Sequence, residues 1–519
     1  MLARLHSLFG ARTSVSLVSN GSELDGHHAG IAVVTPSALA RAELASFHRL
    51  DLVVATDIHA LDAPYELAVL LLRCHHPGLR LVGTSSSVMD AQDASDWFGV
   101  PDHALYAFEP SVRTIPLTTS LETFAIPHSY SLLRTMARPV FKAMCAAPTN
   151  SICFLPSRGL CKSIARELVT LAATEAEGDF ASTSLDVLLA YSQQLTDSSL
   201  SEGISQGIGI LHDDLAPNDR RIVRELFFNG SLRVLLVPRE SCWTLDLTAS
   251  VVIVMSAQYA ALNKKDEREI RDYTLEELLR MQDLAKSPVL DHAAHFMVLC
   301  QAEQGELYRR YFATGPPLES ALQVEAPSLL ASLVWRLIAQ GRLKTRQDLV
   351  DLLSWSFYAR RISTNPCFYA ALEVSGDSVD SRLSRAADEL LSGLERLGCV
   401  ALLPKTTGQL SMSLLGTTLM QMGCTLAEVE YVQSQDVDRL LGGIQRPPPC
   451  DADALKQYFA RLPRVYKDVV GAGEAAEDEA RVLLVGFKAG RLVRQNDALE
   501  RRQVDLVRMA FDRVARLQV

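Results

Sequence analysis

Residues 207–255, reading GIGILHDDLAPNDRRIVRELFFNGSLRVLLVPRESCWTLDLTASVVIVM, constrain the fold of this chain more than any other stretch. An apolar opening leads through a polar turn into an amphipathic segment that starts at Pro217. Two apolar runs follow, Leu232 to Val237 and Val251 to Met255. Proline is preorganised for the first position of a helix. Ile222, Val223, Leu226 and Phe227 recur at the spacing of a core-facing stripe, with Arg220, Arg221 and Arg224 on the other side. Short, uninterrupted apolar runs read as strands buried on both faces. Strand, helix, strand in that order makes a parallel sheet joined by a crossover helix.

Length and composition set the outer bounds. A chain of 519 residues holds about two to four domains. With 48% hydrophobic and 22% charged residues it has the make-up of a globular protein. The formal net charge of -10 excludes a generic nucleic-acid coat, because phosphate binding rests on clustered Lys and Arg; a local basic groove stays open. The ten cysteines are scattered through apolar runs without a CxxC pair, which reads as reduced thiols rather than a metal site or a disulfide framework. No apolar run reaches the length of a membrane span. The acid-free opening MLARLHSLFGARTSVS reads as a short helix (Leu2 to Phe9) before a strand (Val15 to Val18); a mitochondrial targeting segment is the alternative.

Residues 1–125 alternate strands with helices. Val15 to Val18, Ile31 to Val34, Leu52 to Ala55 and Leu79 to Gly83 are predicted strands, and Tyr65 to Cys74 a predicted helix. Thr35-Pro36 opens a helix, where a threonine caps free N–H groups and where an anion is also favoured. Downstream, a helix over Ser129 to Met144, kinked or restarted at Pro139, precedes a strand (Ile152 to Leu155) and a helix (Ser163 to Ala173). The polar interval Thr174 to Glu202 reads as loop plus helix.

Several segments taken in order resemble the motifs of superfamily-two RNA helicases. These are VVTP (Val33 to Pro36), GTSSS (Gly83 to Ser87), FLPSR (Phe154 to Arg158) and LH…LxPxxRRxVxxLF…G…V…CW within 207–243. Among those helicases, the second cassette of the large U5 spliceosomal DExH family is similar over nearly the whole chain. The resemblance implies an α/β protein with tandem RecA-like domains, the first incomplete, then a winged helix and an all-α Sec-sixty-three-type helical module. The corresponding spans are 1–125, 126–312, 323–375 and 376–519, the last in shortened form. GPPLESAL (Gly315 to Leu322) is similar to the linker into the winged helix, and Trp355 to Tyr369 to its wing. Arg360 and Arg361 there are either RNA contacts or a surface ion-pair face. GCVALLPKTTGQLSMSLLGTTLMQMGCT fits the hairpin of the helical module. Pro-bearing 442–451 reads as a loop and acidic 474–479 as mobile.

The same resemblance identifies candidate sites. In the family the third strand ends in Asp-Glu-x-His, for Mg²⁺, the attacking water and coupling to RNA. Here those positions are Thr56, Asp57, Ile58 and His59, so one carboxylate is lost and the other is a methylene shorter. Ser85 and Ser86 fall in the motif that links nucleotide and RNA sites. The last motif, Gln-x-x-Gly-Arg-x-Gly-Arg, is matched by Arg280, Met281, Gln282, Asp283, Leu284, Ala285, Lys286 and Ser287. Both arginine-finger positions, Leu284 and Ser287, are uncharged, and Asp283 repels phosphate. Trp243-Thr244 replaces a Trp-Gly. No GxxxxGK[ST] loop occurs; its lookalike, Pro156 to Ser163, has Pro and Cys at the glycine positions and cannot form a nest of N–H donors. The alignment starts the chain downstream of that loop, through real shortening or an incomplete gene model. The RNA candidates are Thr35, Pro36, Arg508 and Arg513. The last two lie on a final helix within residues 481–519, where nine basic residues face four acids.

Without these electrostatic groups, hydrolysis of ATP lacks its main contributions. The expectation is therefore a pseudoenzyme with no catalytic residues, metal or cofactor, serving as a nuclear protein-interaction scaffold in pre-mRNA splicing. Its partners would be spliceosomal proteins, including the U5 scaffold and an active helicase cassette in trans, with no membrane. The alternatives are an ATP-dependent RNA helicase using ATP and Mg²⁺, or the downstream piece of one, and a passive module for single-stranded RNA.

Overall fold

A computed structural model describes residues 2–10, 12–18, 30–42, 50–126, 130–175, 180–262, 267–287, 293–324, 326–369, 378–402, 409–434, 452–462, 479–491 and 497–517, with 464, 467 and 493 between them. The expected loop at 442–451 and the acidic residues 474–478 lie outside the described residues.

Residues 207–255 supply three strands of a six-stranded parallel sheet. Its strands are β5 (Leu117–Phe124), β6 (Ser151–Leu155), β7 (Ile208–Ile210), β8 (Val234–Pro238), β9 (Val251–Met255) and β12 (Ala294–Gln301), in the spatial order β5-β12-β9-β6-β8-β7. Every residue of β6, β8 and β9 is buried, as their uninterrupted apolar runs require. The helix Pro217–Phe228 lays Ile222, Val223, Leu226 and Phe227 against this sheet. Burying side chains of this size contributes about 1.5–3 kcal/mol each. Asp219 on the same helix is buried too, and its carboxylate accepts from Thr196 Oγ1 at 2.6 Å and from the backbone N–H of Thr196 and Asp197.

Pro139 does not restart its helix, which runs unbroken from Tyr130 to Cys145. An interior proline costs about 3 kcal/mol. Burial of Leu132, Leu133, Met136, Val140, Phe141 and Met144 along one face exceeds that cost. β5 was not anticipated, and it places the edge of this second lobe at residue 117, ahead of the boundary expected at 125. An antiparallel hairpin of β10 (Gln258–Leu262) and β11 (Arg268–Asp272) was likewise not anticipated.

The four strands expected in the first lobe are present as two separate parallel pairs. β1 (Val15–Val18) pairs with β2 (Ile31–Val34), and β3 (Leu52–Ala55) with β4 (Arg80–Gly83). The helix Ala63–His75 is buried continuously from Glu66 to Leu72, so it is enclosed on all sides. Leu67, Leu70 and Leu72 share one core with Leu330, Val334 and Leu349 of the winged-helix region and with Leu390, Leu483 and Leu506 further on. The second lobe keeps its own core.

The segment Trp355 to Tyr369, expected as the wing, is helical over Phe357–Thr364 and Pro366–Tyr369. Ser356 Oγ caps the first of these by accepting from Ala359 N at 3.1 Å, and burial of Phe357, Ala359 and Ile362 holds it down. The antiparallel pair in this region is instead β13 (Val400–Leu402) with β14 (Leu410–Met412), which follows the helix Val379–Arg396 and bridges to Thr345 through Gln409. No described helix is long and apolar enough to cross a membrane.

Candidate functional site

The ends of β3 and β4 are tied together before any side chain contributes. Thr84 N donates to Ala55 O at 2.9 Å and Ile58 N to Thr84 O at 3.1 Å. Between them Asp57 takes a left-handed conformation, φ 57° and ψ 46°, which for a residue with a Cβ is sparsely populated and is held by its surroundings. Ile58, directly after it, is buried against Gly83 and Phe98; a side chain at Gly83 would collide with its Cδ1. The strained turn therefore aims the Asp57 carboxylate out of the first lobe.

That carboxylate meets the second lobe. Arg280, on the helix Leu275–Asp283, donates from Nη2 to Asp57 Oδ2 at 3.2 Å. Thr274 and Glu277 form a capping box that fixes the start of this helix. The Arg280 guanidinium also lies 5.9 Å above the Trp243 ring. Next to Asp57, His59 is held by the β4 loop: its backbone N donates to Ser85 Oγ at 3.1 Å, and Ser86 N donates to its Nδ1 at 3.2 Å. An Nδ1 that accepts belongs to a neutral imidazole with its proton on Nε2. Burial lowers the His59 pKa below its ordinary value, with Asp57 opposing and Arg280 adding to the shift.

Thr56, Asp57, His59, Ser85, Ser86 and Arg280 thus converge on one cleft between the lobes. Asp283 lies at the edge of the same cleft, where Arg113 is 4.0 Å away. Leu284 to Lys286 are clamped to the start of β9, with Ala249 N donating to Leu284 O at 3.0 Å and Lys286 N to Ala249 O at 2.8 Å. Ser287 follows, half-buried, beyond that clamp. Two contributors were not foreseen. Tyr65 donates its hydroxyl to Thr56 O at 2.9 Å, and Arg113 donates to Gln282 Oε1 at 2.8 Å. Tyr65 stood inside a predicted helix and Arg113 in a connecting segment, so neither carried a motif.

The remaining candidates lie elsewhere. Thr35 Oγ1 accepts from Ala38 N at 3.3 Å and caps the short helix Pro36–Arg41. Arg508 is exposed on the helix Asp497–Leu517, among Glu500, Arg501, Asp505 and Asp512, a face of alternating sign rather than a basic stripe. The side chain of Arg513 lies outside the described residues. Arg360 and Arg361 form an inner network instead of an RNA face. Arg361 is only 3% exposed and pairs with Asp90 at 3.1 Å, Glu319 at 2.6 Å and Asp93, while Arg360 pairs with Asp93 at 2.9 Å and with Asp96. Arg220 and Arg224 line a cavity of about 220 Å³ with His212, Ser241 and Thr244, and they face Asp213 and Asp246 respectively. Among the described residues no group of three or more His, Cys, Asp or Glu is placed to hold a metal ion.

The residues of the cleft do not fit a Mg²⁺–nucleotide. Thr56 offers no carboxylate, and the carboxylate of Asp57 is engaged by Arg280.

The fold is thus a six-stranded parallel-sheet lobe that meets, at Asp57 and Arg280, a first lobe sharing one core with the residues that follow 322. Comparison with known proteins shows what the chain is similar to. Residues 328–403 match a winged helix-turn-helix domain family, a span that takes in the helix Val379–Arg396 and β13. The chain is 30% identical over 328 residues, 62% of its length, to the U5 small nuclear ribonucleoprotein 200 kDa helicase of Homo sapiens. It is 30% identical over 379 residues, 69% of its length, to that of Caenorhabditis elegans. A DExH-box ATP-dependent RNA helicase of Arabidopsis thaliana is 31% identical over 327 residues, 62% of the chain. The chain is a DExH-helicase-like cassette related to these proteins. It spans 15% of the length of the human and Arabidopsis relatives and 17% of the nematode one.

Proposed function

We propose that this chain is a catalytically inactive counterpart of the second helicase cassette, acting as a protein-interaction scaffold in pre-mRNA splicing. The observation that carries the reading is the Asp57–Arg280 pair. Where the family has a Mg²⁺-binding and water-positioning carboxylate pair, the one remaining carboxylate closes the cleft on an arginine of the other lobe. The U5 relatives support spliceosomal proteins as partners and the nucleus as the location; an active helicase cassette in trans and the U5 scaffold are the partners this reading proposes. The C-terminal helices would form the Sec-sixty-three-type module of such a cassette.

An ATP-dependent RNA helicase, or a fragment of one, is the less favoured reading because Leu284 and Ser287 supply no charge to a γ-phosphate. A passive RNA module is less favoured because Arg220, Arg224 and Arg508 all have acids beside them. The test has two arms. ATP hydrolysis is measured with and without single-stranded RNA, and association with a purified active U5 helicase cassette is measured by analytical ultracentrifugation. Absent hydrolysis with a defined complex supports the proposal; RNA-stimulated hydrolysis, or no association with U5 proteins, overturns it.

A further inference from the structure

Glu66 is a fully buried carboxylate at the meeting point of three parts of the chain. It belongs to the enclosed helix Ala63–His75 of the first lobe. Oε2 accepts from Ser320 Oγ at 2.7 Å and from Ala321 N at 3.3 Å, both in the segment that leaves the second lobe. Oε1 accepts from Tyr358 N at 2.9 Å, a free N–H in the first turn of the helix Phe357–Thr364. One carboxylate thereby fastens the lobe, the connecting segment and the winged-helix region.

The charged and titratable groups around it are committed elsewhere. From the connecting segment, Glu319 is held by Arg361, Asn365 and Tyr369. From the helix Phe357–Thr364, Arg361 faces Asp90, Asp93 and Glu319, and Tyr358 contributes its backbone N–H. From the helix Pro366–Tyr369, Tyr369 donates to Glu319 and accepts from Ser320 N at 2.7 Å. Among the described residues no cation pairs with Glu66. Full burial without a cation favours the protonated form of this carboxylate, and the donors it accepts from oppose that shift.

We propose that docking of the winged-helix region onto the first lobe is proton-linked through Glu66, taking up a proton when the junction closes and releasing it when the junction opens. Protonation also engages Ser320. Ser320, Ala321 and Tyr358 all donate to Glu66, so a carboxylic acid proton finds an acceptor among them only if the Ser320 hydroxyl turns; that oxygen already accepts from Leu322 N at 3.2 Å. Burial pushes the Glu66 pKa up to about 7 from an ordinary 4.5. A raised folded-state pKa means that tight docking is fully present below pH 4.5 and is lost as pH rises toward 7.

Hydrogen exchange on the full chain reads this directly, at the Tyr358 and Ala321 amides that Glu66 accepts from. After correction for intrinsic exchange, their protection falls by roughly 100-fold between about pH 5 and about pH 8 in the wild type. It stays flat in Glu66→Gln, which keeps the shape without the charge. In Ser320→Ala the loss shifts to higher pH, because the carboxylate has lost a donor. A flat wild-type profile, or the same slope in Glu66→Gln, overturns the proposal.

Discussion

The carboxylate of Asp57 lies 3.2 Å from the guanidinium of Arg280, 223 positions further along the chain and in the other lobe. Both side chains keep about two fifths of their surface in solvent, so the pair is worth only about 0–1 kcal/mol. Its consequence is electrostatic. Arg280 is one of the groups that lowers the His59 pKa. In Arg280→Ala that pKa rises toward the ordinary 6.5, and NMR titration of the His59 ring reads the change. An unchanged titration would separate His59 from the inter-lobe contact.

The Arg361 network should govern stability far more than the cleft pair does. Removing Arg361 leaves the half-buried Glu319 without its cation and the buried Asp93 with Arg360 alone, a loss of about 3 kcal/mol. Arg221→Ala, which breaks an exposed pair with Glu225 one helical turn away, costs at most about 0.5 kcal/mol. Urea midpoints of the two variants check the contrast.

Acid should dissolve the same network. Burial opposes ionisation of Asp93 and Glu319, yet the hydrogen bonds they accept hold both below their ordinary values of 3.8 and 4.5. Depressed carboxylates add stability that is present above those values and disappears as pH falls through the folded-state pKa. The wild type therefore loses stability below about pH 4 more steeply than Arg361→Ala, as thermal melts across an acid series would show.

Adjacent phenylalanines should behave oppositely. Phe227 is buried in the second-lobe core, and Phe227→Ala costs about 3–5 kcal/mol. Phe228 is 82% exposed, and Phe228→Ala stays within about 0.5 kcal/mol. Denaturation of both variants tests the register of the helix on the sheet.

Two glycines with positive φ also divide. At Gly207, φ 77°, a Cβ would lie 2.0 Å from the Phe180 backbone, so Gly207→Ala costs more than about 2 kcal/mol. At Gly230, φ 75°, nothing stands in the way, and Gly230→Ala costs about 1 kcal/mol from backbone strain alone. A smaller loss at position 207 would contradict the close approach that opens β7.

What the sequence disclosed follows from how each element is stabilised. β6, β8 and β9 are apolar but for Ser151 because both faces are covered, and such runs are visible without neighbours. The β10–β11 hairpin, with Arg268 to Asp272 all exposed, has no apolar pattern to find. Trp355 to Tyr369 has the aromatic content of a strand, and only its packing against the first lobe, where Trp97 Nε1 donates to Trp355 O at 3.1 Å, and its Ser356 cap make it helical. Asp57, His59 and Arg280 could each be singled out by motif. That the first and last of them meet is a property of the tertiary fold, and so is the acidic company that Arg220, Arg224 and Arg508 keep.

The most direct measurement is equilibrium binding of a fluorescent ATP analogue, with Mg²⁺, to the purified full chain and to Arg280→Ala. With no carboxylate at Thr56 and Asp57 engaged by Arg280, the wild type shows no saturable binding at millimolar nucleotide, and freeing Asp57 does not create it. Saturable micromolar binding by the wild type would contradict the inactive cassette and return the chain to the ATP-dependent helicases.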